Sequence, residues 1–221
     1  MKAMPLFEMK NVSIGYNGVP ALSGITLKIE RGERVALVGP SGAGKSTLLT
    51  TLYGQQKARS ALVPQEFALV KTLSVFHNVY MGRLNRHSGF YNLLNLIHPM
   101  SRQLDAVAPF LDALGLSDKR DIPVGELSGG QQQRTAVARA LFQGGEVLLG
   151  DEPVSSVDPL QSREVLGAIN GAYETVVLAM HDVELALRFT DRLIGIKDGR
   201  MHFDRPTSGM TASELDGFFR Q

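Results

Sequence analysis

Three short stretches of this chain carry residue types that handle phosphate. Residues 39–46 read GPSGAGKS, a G-x-x-x-x-G-K-S pattern followed by Thr47. Its glycines (Gly39, Gly42, Gly44), with Pro40, Ser41 and Ala43 between them, let the backbone close around an anion with N–H groups turned inward. Lys45 suits the β- and γ-phosphates of a nucleotide, and Ser46 suits a Mg²⁺ ion. A glycine-rich turn before a helix is the plain alternative, but the apolar run Val35-Ala36-Leu37-Val38 just before it supplies the strand that a phosphate loop follows. Residues 148–153, LLGDEP, place Asp151 and Glu152 at the end of a second apolar run. In a parallel sheet, ligands gather at the carboxyl ends of strands, which brings both acids toward the loop. Asp151 then suits a Mg²⁺ contact and Glu152 suits polarising an attacking water. Residues 127–134, LSGGQQQR, form a glycine-rich helix start with Ser128 as its cap, a place where an anion should sit.

The elements that must position these groups alternate. Residues 6–15 and 24–31 read as strands, with a turn at Arg31-Gly32-Glu33. The run at 35–38 is a buried strand, and residues 45–53 follow it as a helix. Residues 147–149 and 176–180 are two further buried strands, with a helix over 159–171 between them that starts at Asp158-Pro159. A hairpin over 190–204 and a helix near 211–220 close the chain. Such alternation predicts an α/β sheet with crossovers. The middle, roughly 72–125, is more helical, and 84–99 is aromatic and amphipathic.

Bulk composition narrows the function classes. The chain has 221 residues, 23 basic and 22 acidic, and a balance so near neutral gives no support for nucleic-acid binding. There is no cysteine, which rules out a disulfide framework or thiolate chemistry. No apolar run reaches the roughly 18 residues of a membrane span, and the N-terminus lacks the apolar core of a signal peptide. The chain reads as soluble, so any membrane process it serves needs another chain to cross the bilayer.

The three stretches, in this order and over nearly the whole chain, resemble the ATP-binding cassette of ABC transporters. The resemblance implies one cassette domain over 1–221: a P-loop NTPase parallel-sheet core, a small N-terminal antiparallel β lobe, and an inserted helical subdomain over roughly 72–145 that includes the signature helix. It implies ATP and Mg²⁺ as ligands. It places Tyr16 on the adenine ring and gives Gln65, after Ala61-Leu62-Val63-Pro64, a role in sensing Mg²⁺ and the attacking water. It gives His181, after the strand VVLAM, a contact to the γ-phosphate. It implies that Ser128, Gly129, Gly130 and Gln131 bind the γ-phosphate held by a second copy of the chain, with Asp158 in the loop that joins the two sites of a homodimer. The implied partners are integral-membrane permease subunits and an extracytoplasmic solute-binding protein, and the implied place is cytoplasmic, peripheral on the inner face of the membrane.

Two features refine this. Lys45 and Gln65 are 20 positions apart, less than is usual in importer cassettes, where that interval carries more of the antiparallel lobe and an edge strand of the core. Residues 73–98 look similar to phosphonate importer cassettes, in a region that usually faces the permease. A cassette working without a permease, as a soluble or regulatory nucleotide-binding module, is the alternative; intact Glu152 and His181 argue against loss of turnover.

Overall fold

The computed structural model describes residues 5–16 and 18–219, which form two compact units. The first four residues, read above as lacking a signal-peptide core, and Arg220, expected in the last helix, lie outside the described residues.

One unit holds the described residues of 5–62, 145–152 and 173–219. Its strands β1 (Phe7–Tyr16) and β2 (Val19–Ile29) form an antiparallel pair, with Phe7 opposite Ile29 and Met9 opposite Leu27. Alternation sorts their faces: Phe7, Met9, Ile25, Leu27 and Ile29 are buried while Glu8, Thr26 and Lys28 face out. The second strand begins five residues before the expected position 24. Pairing of Val19 with Tyr16 and of Pro20 with Gly15 extends it through residues whose local composition reads as a turn.

The main sheet has the order β4-β5-β6-β3-β7-β8. Its members are β3 (Arg34–Val38), β4 (Ser60–Val63), β5 (Val147–Asp151), β6 (Thr175–Ala179), β7 (Arg192–Lys197) and β8 (Arg200–Pro206). β5, β6, β3 and β7 run parallel, and β8 turns back antiparallel on β7. β5 and β6 are buried along their whole length, as expected for strands covered on both faces. α1 (Lys45–Gln55) presents Leu48, Leu49 and Leu52 to a core shared with Phe7, Ile25 and Ile29 of the hairpin and with Leu37 and Leu149 of the sheet. Burying each such side chain stabilises the fold by about 1.5–3 kcal/mol. The short interval after Lys45 accommodates α1, a turn and β4, so the core keeps its edge strand. Among the described residues the antiparallel sheet has two strands. α7 (Val183–Phe189), not anticipated from the sequence, starts where Asp182 Oδ1 accepts the Leu185 N–H. α8 (Ala212–Phe219) ends the described chain. Among the described residues no helix is long and apolar enough to cross a membrane.

The other unit holds residues 63–144 and 153–172 and is helical. It comprises α2 (Val75–Tyr80), α3 (Gly89–Ile97), α4 (Ser101–Asp112), α5 (Gly129–Gln143) and α6 (Pro159–Ala172). The stretch expected as helix up to 125 breaks after α4, where Gly115 takes a positive φ and only short 3₁₀ turns follow. Ser74 and Ser88 cap α2 and α3 through their hydroxyls. The core joins Val75, Phe76 and Val79 to Val107 and Leu111 of α4 and to Val137 and Leu141 of α5. Phe142 packs edge-on against Phe110, and the Arg83 guanidinium lies 4.0 Å from its ring centre.

One buried amide fixes the chain before α2. Asn78 is fully buried; its Oδ1 accepts the Val70 N–H, and its Nδ2 donates to the carbonyls of Val70, Leu73 and Ser74. Replacing Asn78 with Ala leaves those backbone groups without the amide. Urea denaturation should show a loss of about 2–3 kcal/mol; a change under 0.5 kcal/mol would show that water or neighbouring groups replace the amide.

Candidate functional site

Strand register brings the chemistry together. Leu37 of β3 pairs with Ala179 of β6, and Ala179 pairs with Asp151 of β5. The three strands therefore end level. Gly39, His181 and Asp151–Glu152 leave from neighbouring positions at one edge of the sheet. The Met180 N–H donates to the Leu37 carbonyl and the Glu152 N–H to the Ala179 carbonyl, which extends the alignment one residue past each strand.

The loop 39–44 is tightly seated. A Cβ on Gly39 would fall 1.9 Å from the Ile196 carbonyl oxygen, so only glycine lets the chain turn away from β3 at this point. The Gly199 N–H donates to the Ala43 carbonyl, which ties the loop to the β7–β8 turn. Lys45 is buried, and its Nζ donates to the carbonyls of Gly39 and Pro40 at 2.8 and 3.0 Å. Burial lowers its pKa, while the charges of Glu152 and Asp151 act to raise it. The ammonium thus folds back on its own loop, held by weak neutral acceptors that an anion can replace.

Asp151 is the least satisfied group. Burial raises its pKa, opposed by a hydrogen bond from Ser46 and by the charge of Lys45 and reinforced by Glu152. Its Oδ1 is buried without a hydrogen-bond partner. A buried carboxylate oxygen beside a serine hydroxyl is a hard-oxygen donor set of the kind that takes Mg²⁺. Glu152 follows with φ of 54°, a left-handed conformation that costs a non-glycine residue of order 1 kcal/mol. That turn points its carboxylate toward His181, whose Nε2 lies 2.6 Å from Glu152 Oε1. Tyr16 sits exposed at the end of β1, on the hairpin whose Ala21 and Leu22 lie against Gly44. Lys45, Ser46, Asp151, Glu152 and His181 therefore form one cluster within the sheet unit.

The other expected site residues belong to the helical unit. Ser128 caps α5 through a reciprocal box: its Oγ accepts the Gln131 N–H and Gln131 Oε1 accepts the Ser128 N–H. Gly130 lies against the loop 155–158, where a Cβ would come 2.7 Å from the Ser156 carbonyl oxygen. Asp158 caps α6, its Oδ1 accepting the N–H groups of Leu160 and Gln161. Gln65 is exposed, in the turn closed by the Phe67 N–H on the Pro64 carbonyl.

Two residues the sequence reading passed over hold these segments. The fully buried Gln133 accepts the Ser156 N–H and donates to Ser155 Oγ, joining the loop to the start of α5. Arg139 donates to the carbonyls of Phe67 and Ala68, both in left-handed conformations, each at 2.6 Å. The available signal for Gln133 was its place on the stripe it shares with Val137 and Ala140, a polar residue on an otherwise apolar face.

A family profile described as ABC transporter matches residues 22–155. The phosphonates import ATP-binding protein PhnC of Pseudomonas entomophila is 38% identical over 96% of this chain and 90% of its own length. That of Rhizobium etli is 36% identical, over 95% and 84%. The Anaeromyxobacter dehalogenans protein of the same name is 37% identical over 96% of this chain, which spans only 47% of that relative's length. Among solved structures, the dimeric bacterial ABC transporter cassette MJ0796 superposes with a TM-score of 0.79 at 26% identity, covering 92% of this chain and 99% of that one. The same cassette in a post-hydrolysis state with ADP and phosphate gives a TM-score of 0.74 over the same shares.

Relieving the buried charge at Asp151 tests the electrostatic reading. Because its folded pKa is raised, ionisation opposes folding above that pKa, and the cost fades as pH falls through it. Asp151→Asn should raise the melting temperature of the nucleotide-free protein at pH 7–8 by roughly 2–4 °C, with the gain shrinking toward pH 4. A variant that melts lower at neutral pH would show that the carboxylate is compensated.

Proposed function

The chain belongs to the ABC transporter family as an ATP-hydrolysing cassette, and we propose that it drives solute import as one of two identical subunits beneath a membrane permease. The observation that carries this is the cluster of Lys45, Ser46, Asp151, Glu152 and His181 at the level ends of β3, β5 and β6. On binding ATP, Lys45 exchanges its contacts to Gly39 and Pro40 for phosphate oxygens, with the backbone N–H groups of residues 41–47 around them. Ser46 and Asp151 would hold Mg²⁺, which supplies charge neutralisation along the phosphates. The unpartnered Asp151 Oδ1 supports that assignment.

Glu152 takes the role of polarising the attacking water, because its carboxylate is fixed by backbone conformation and by the His181 contact. His181, anchored on that carboxylate, is the group placed to contact the γ-phosphate. Tyr16, exposed at the hairpin end, offers a ring on which adenine stacks, a contact worth about 1–3 kcal/mol. The α5 start, Ser128–Gln131, and the Asp158 loop complete the site of the partner copy, and ATP then bridges two chains. Hydrolysis removes the bridging phosphate, so closure and opening follow the differential affinity of ATP for the two states.

The permease subunits and an extracytoplasmic solute-binding protein complete the system, which places the cassette at the cytoplasmic face of the membrane. For cargo we favour phosphonate. The support is the shared name of relatives such as those of Pseudomonas putida and Thiobacillus denitrificans, 38% and 37% identical over more than nine-tenths of this chain.

Glu152→Gln should cut ATP turnover by a factor of about 100 or more and sediment as a dimer with Mg-ATP but as a monomer without it. Adding Ser128→Arg to that variant should abolish the dimer while leaving ATP binding intact. A dimer that persists in the double variant would show that the α5 start does not act across the pair. For the cargo, a deletion strain without redundant importers should fail to grow on a phosphonate as sole phosphorus source and grow normally on phosphate; unimpaired growth on phosphonate discards that cargo.

A further inference from the structure

The loop 155–158 lies at the surface, yet a fully buried side chain holds it. Ser155, Ser156 and Asp158 are exposed, whereas Gln133, one turn into α5, is 0% exposed. Gln133 Oε1 accepts the Ser156 N–H at 2.8 Å, and its Nε2 donates to Ser155 Oγ at 3.2 Å. Burying an amide is unfavourable unless it is bonded. The stripe that Gln133 shares with Val137 and Ala140 is otherwise apolar, so an apolar side chain of similar volume would pack there and need no partner. What the amide adds is direction: it fixes the loop at two consecutive residues.

The neighbouring contacts act in the same sense. Gly130 has helical backbone with negative φ, so its conformation does not call for glycine. The space does. A Cβ on Gly130 would meet the Ser156 carbonyl oxygen at 2.7 Å, and one on Gly129 would already touch the Ser156 Cβ at 3.9 Å. The glycine pair therefore lets the loop lie directly on the first turn of α5. At the loop's other end, Asp158 Oδ1 caps α6 and the Ser162 hydroxyl donates to the Val157 carbonyl. Four residues are thus fixed to the starts of two helices of the same unit.

We propose that Gln133 is a positioning residue for the composite ATP site, joining the loop 155–158 to the Ser128–Gln131 turn so that both meet the partner copy as one rigid surface. The role rests on the reading that these two segments complete the partner's site. Fully buried, Gln133 does not reach a nucleotide; it acts through Ser155 and Ser156. Without it both segments remain, but the loop moves by itself. Pairing must then order the loop as well, and this entropic cost weakens the dimer and slows turnover. Capture of ATP by a single chain does not involve the loop and is unaffected.

The test uses the full chain with Gln133→Met, which keeps the side-chain length and removes both bonds. In nucleotide-free protein, hydrogen exchange at the Ser156 amide should quicken by about tenfold, with amides in the middle of α5 unchanged. In a Glu152→Gln background with Mg-ATP, the dimer dissociation constant from sedimentation should rise by about tenfold, and with Glu152 present kcat should fall by as much. The Kd for ATP of the single chain should stay the same. A residue that serves stability alone would lower the melting temperature without moving the dimer constant of the folded protein. Ser155→Ala, which removes one of the two bonds, should raise that constant by about threefold and add nothing to Gln133→Met. Gln133→Asn, one methylene shorter, should shift the same quantities in the same directions and serves where the methionine variant does not fold. Unchanged Ser156 exchange, or an unchanged dimer constant, overturns the proposal and leaves the two-copy reading standing. An equal loss of ATP affinity in the single chain overturns it too, because the effect would then lie outside pairing. A Glu152→Gln parent that stays monomeric with Mg-ATP removes the two-copy reading itself, and the positioning role with it.

Discussion

The register of three parallel strands is the constraint on which the chemistry depends. Hydrogen bonding sets Leu37, Ala179 and Asp151 abreast, and the next residues of each strand inherit that level. A one-residue slip of β5 would turn Asp151 to the other face of the sheet and carry Glu152 away from His181. Full burial of β5 and β6 on both faces resists such a slip, because every alternative register exposes or crowds apolar side chains. The hydrophobic core thus acts on function through geometry. It has no chemistry of its own, yet it fixes the distance between groups that do.

The price of that geometry falls on a few residues at the strand ends. Asp151 is buried with an unpartnered oxygen, Lys45 is desolvated against its own loop, and Glu152 holds a left-handed backbone. Each is unfavourable by itself, and the nucleotide binding proposed above would relieve two of them. A polyphosphate with its cation would give Lys45 charged acceptors and Asp151 a positive neighbour, while the Glu152 backbone stays as the strand end holds it.

The sequence made the strand-end chemistry legible because each group there is set by local pattern. An apolar run followed by GPSGAGKS, or by GDEP, declares both the strand and what leaves its end. The sheet order and the hairpin's true start were not legible, since they depend on pairing between distant segments, as Val19 with Tyr16 shows. Nor were the polar clamps. Asn78 and Arg139 look like ordinary helix-surface residues until their neighbours are known, and the position of Gln133 on an apolar stripe marks burial but not its partners, because the bonds of a buried amide or guanidinium are a property of the packed unit. Asp158 shows the converse: the motif marks it as part of a functional loop, and its carboxylate also caps α6.

The helical unit uses polar and apolar groups against their usual placement, and the two inversions serve different ends. Inside, Gln133 ties the loop 155–158 to the α5 start, and Arg139 and Asn78 bind the carbonyls of residues 67–74. Buried polar contacts of this kind have directional geometry, so segments joined by them move together, which apolar packing alone does not require. Outside, α3 presents leucine, isoleucine and phenylalanine to its surroundings. The polar side of α3 could not be turned outward without losing the Tyr80–Asn92 and Asn95–Met100 bonds that seat the helix. Its apolar face is therefore held in exposure by the hydrogen bonds behind it, and removing that face from water is left to a surface the chain itself does not provide.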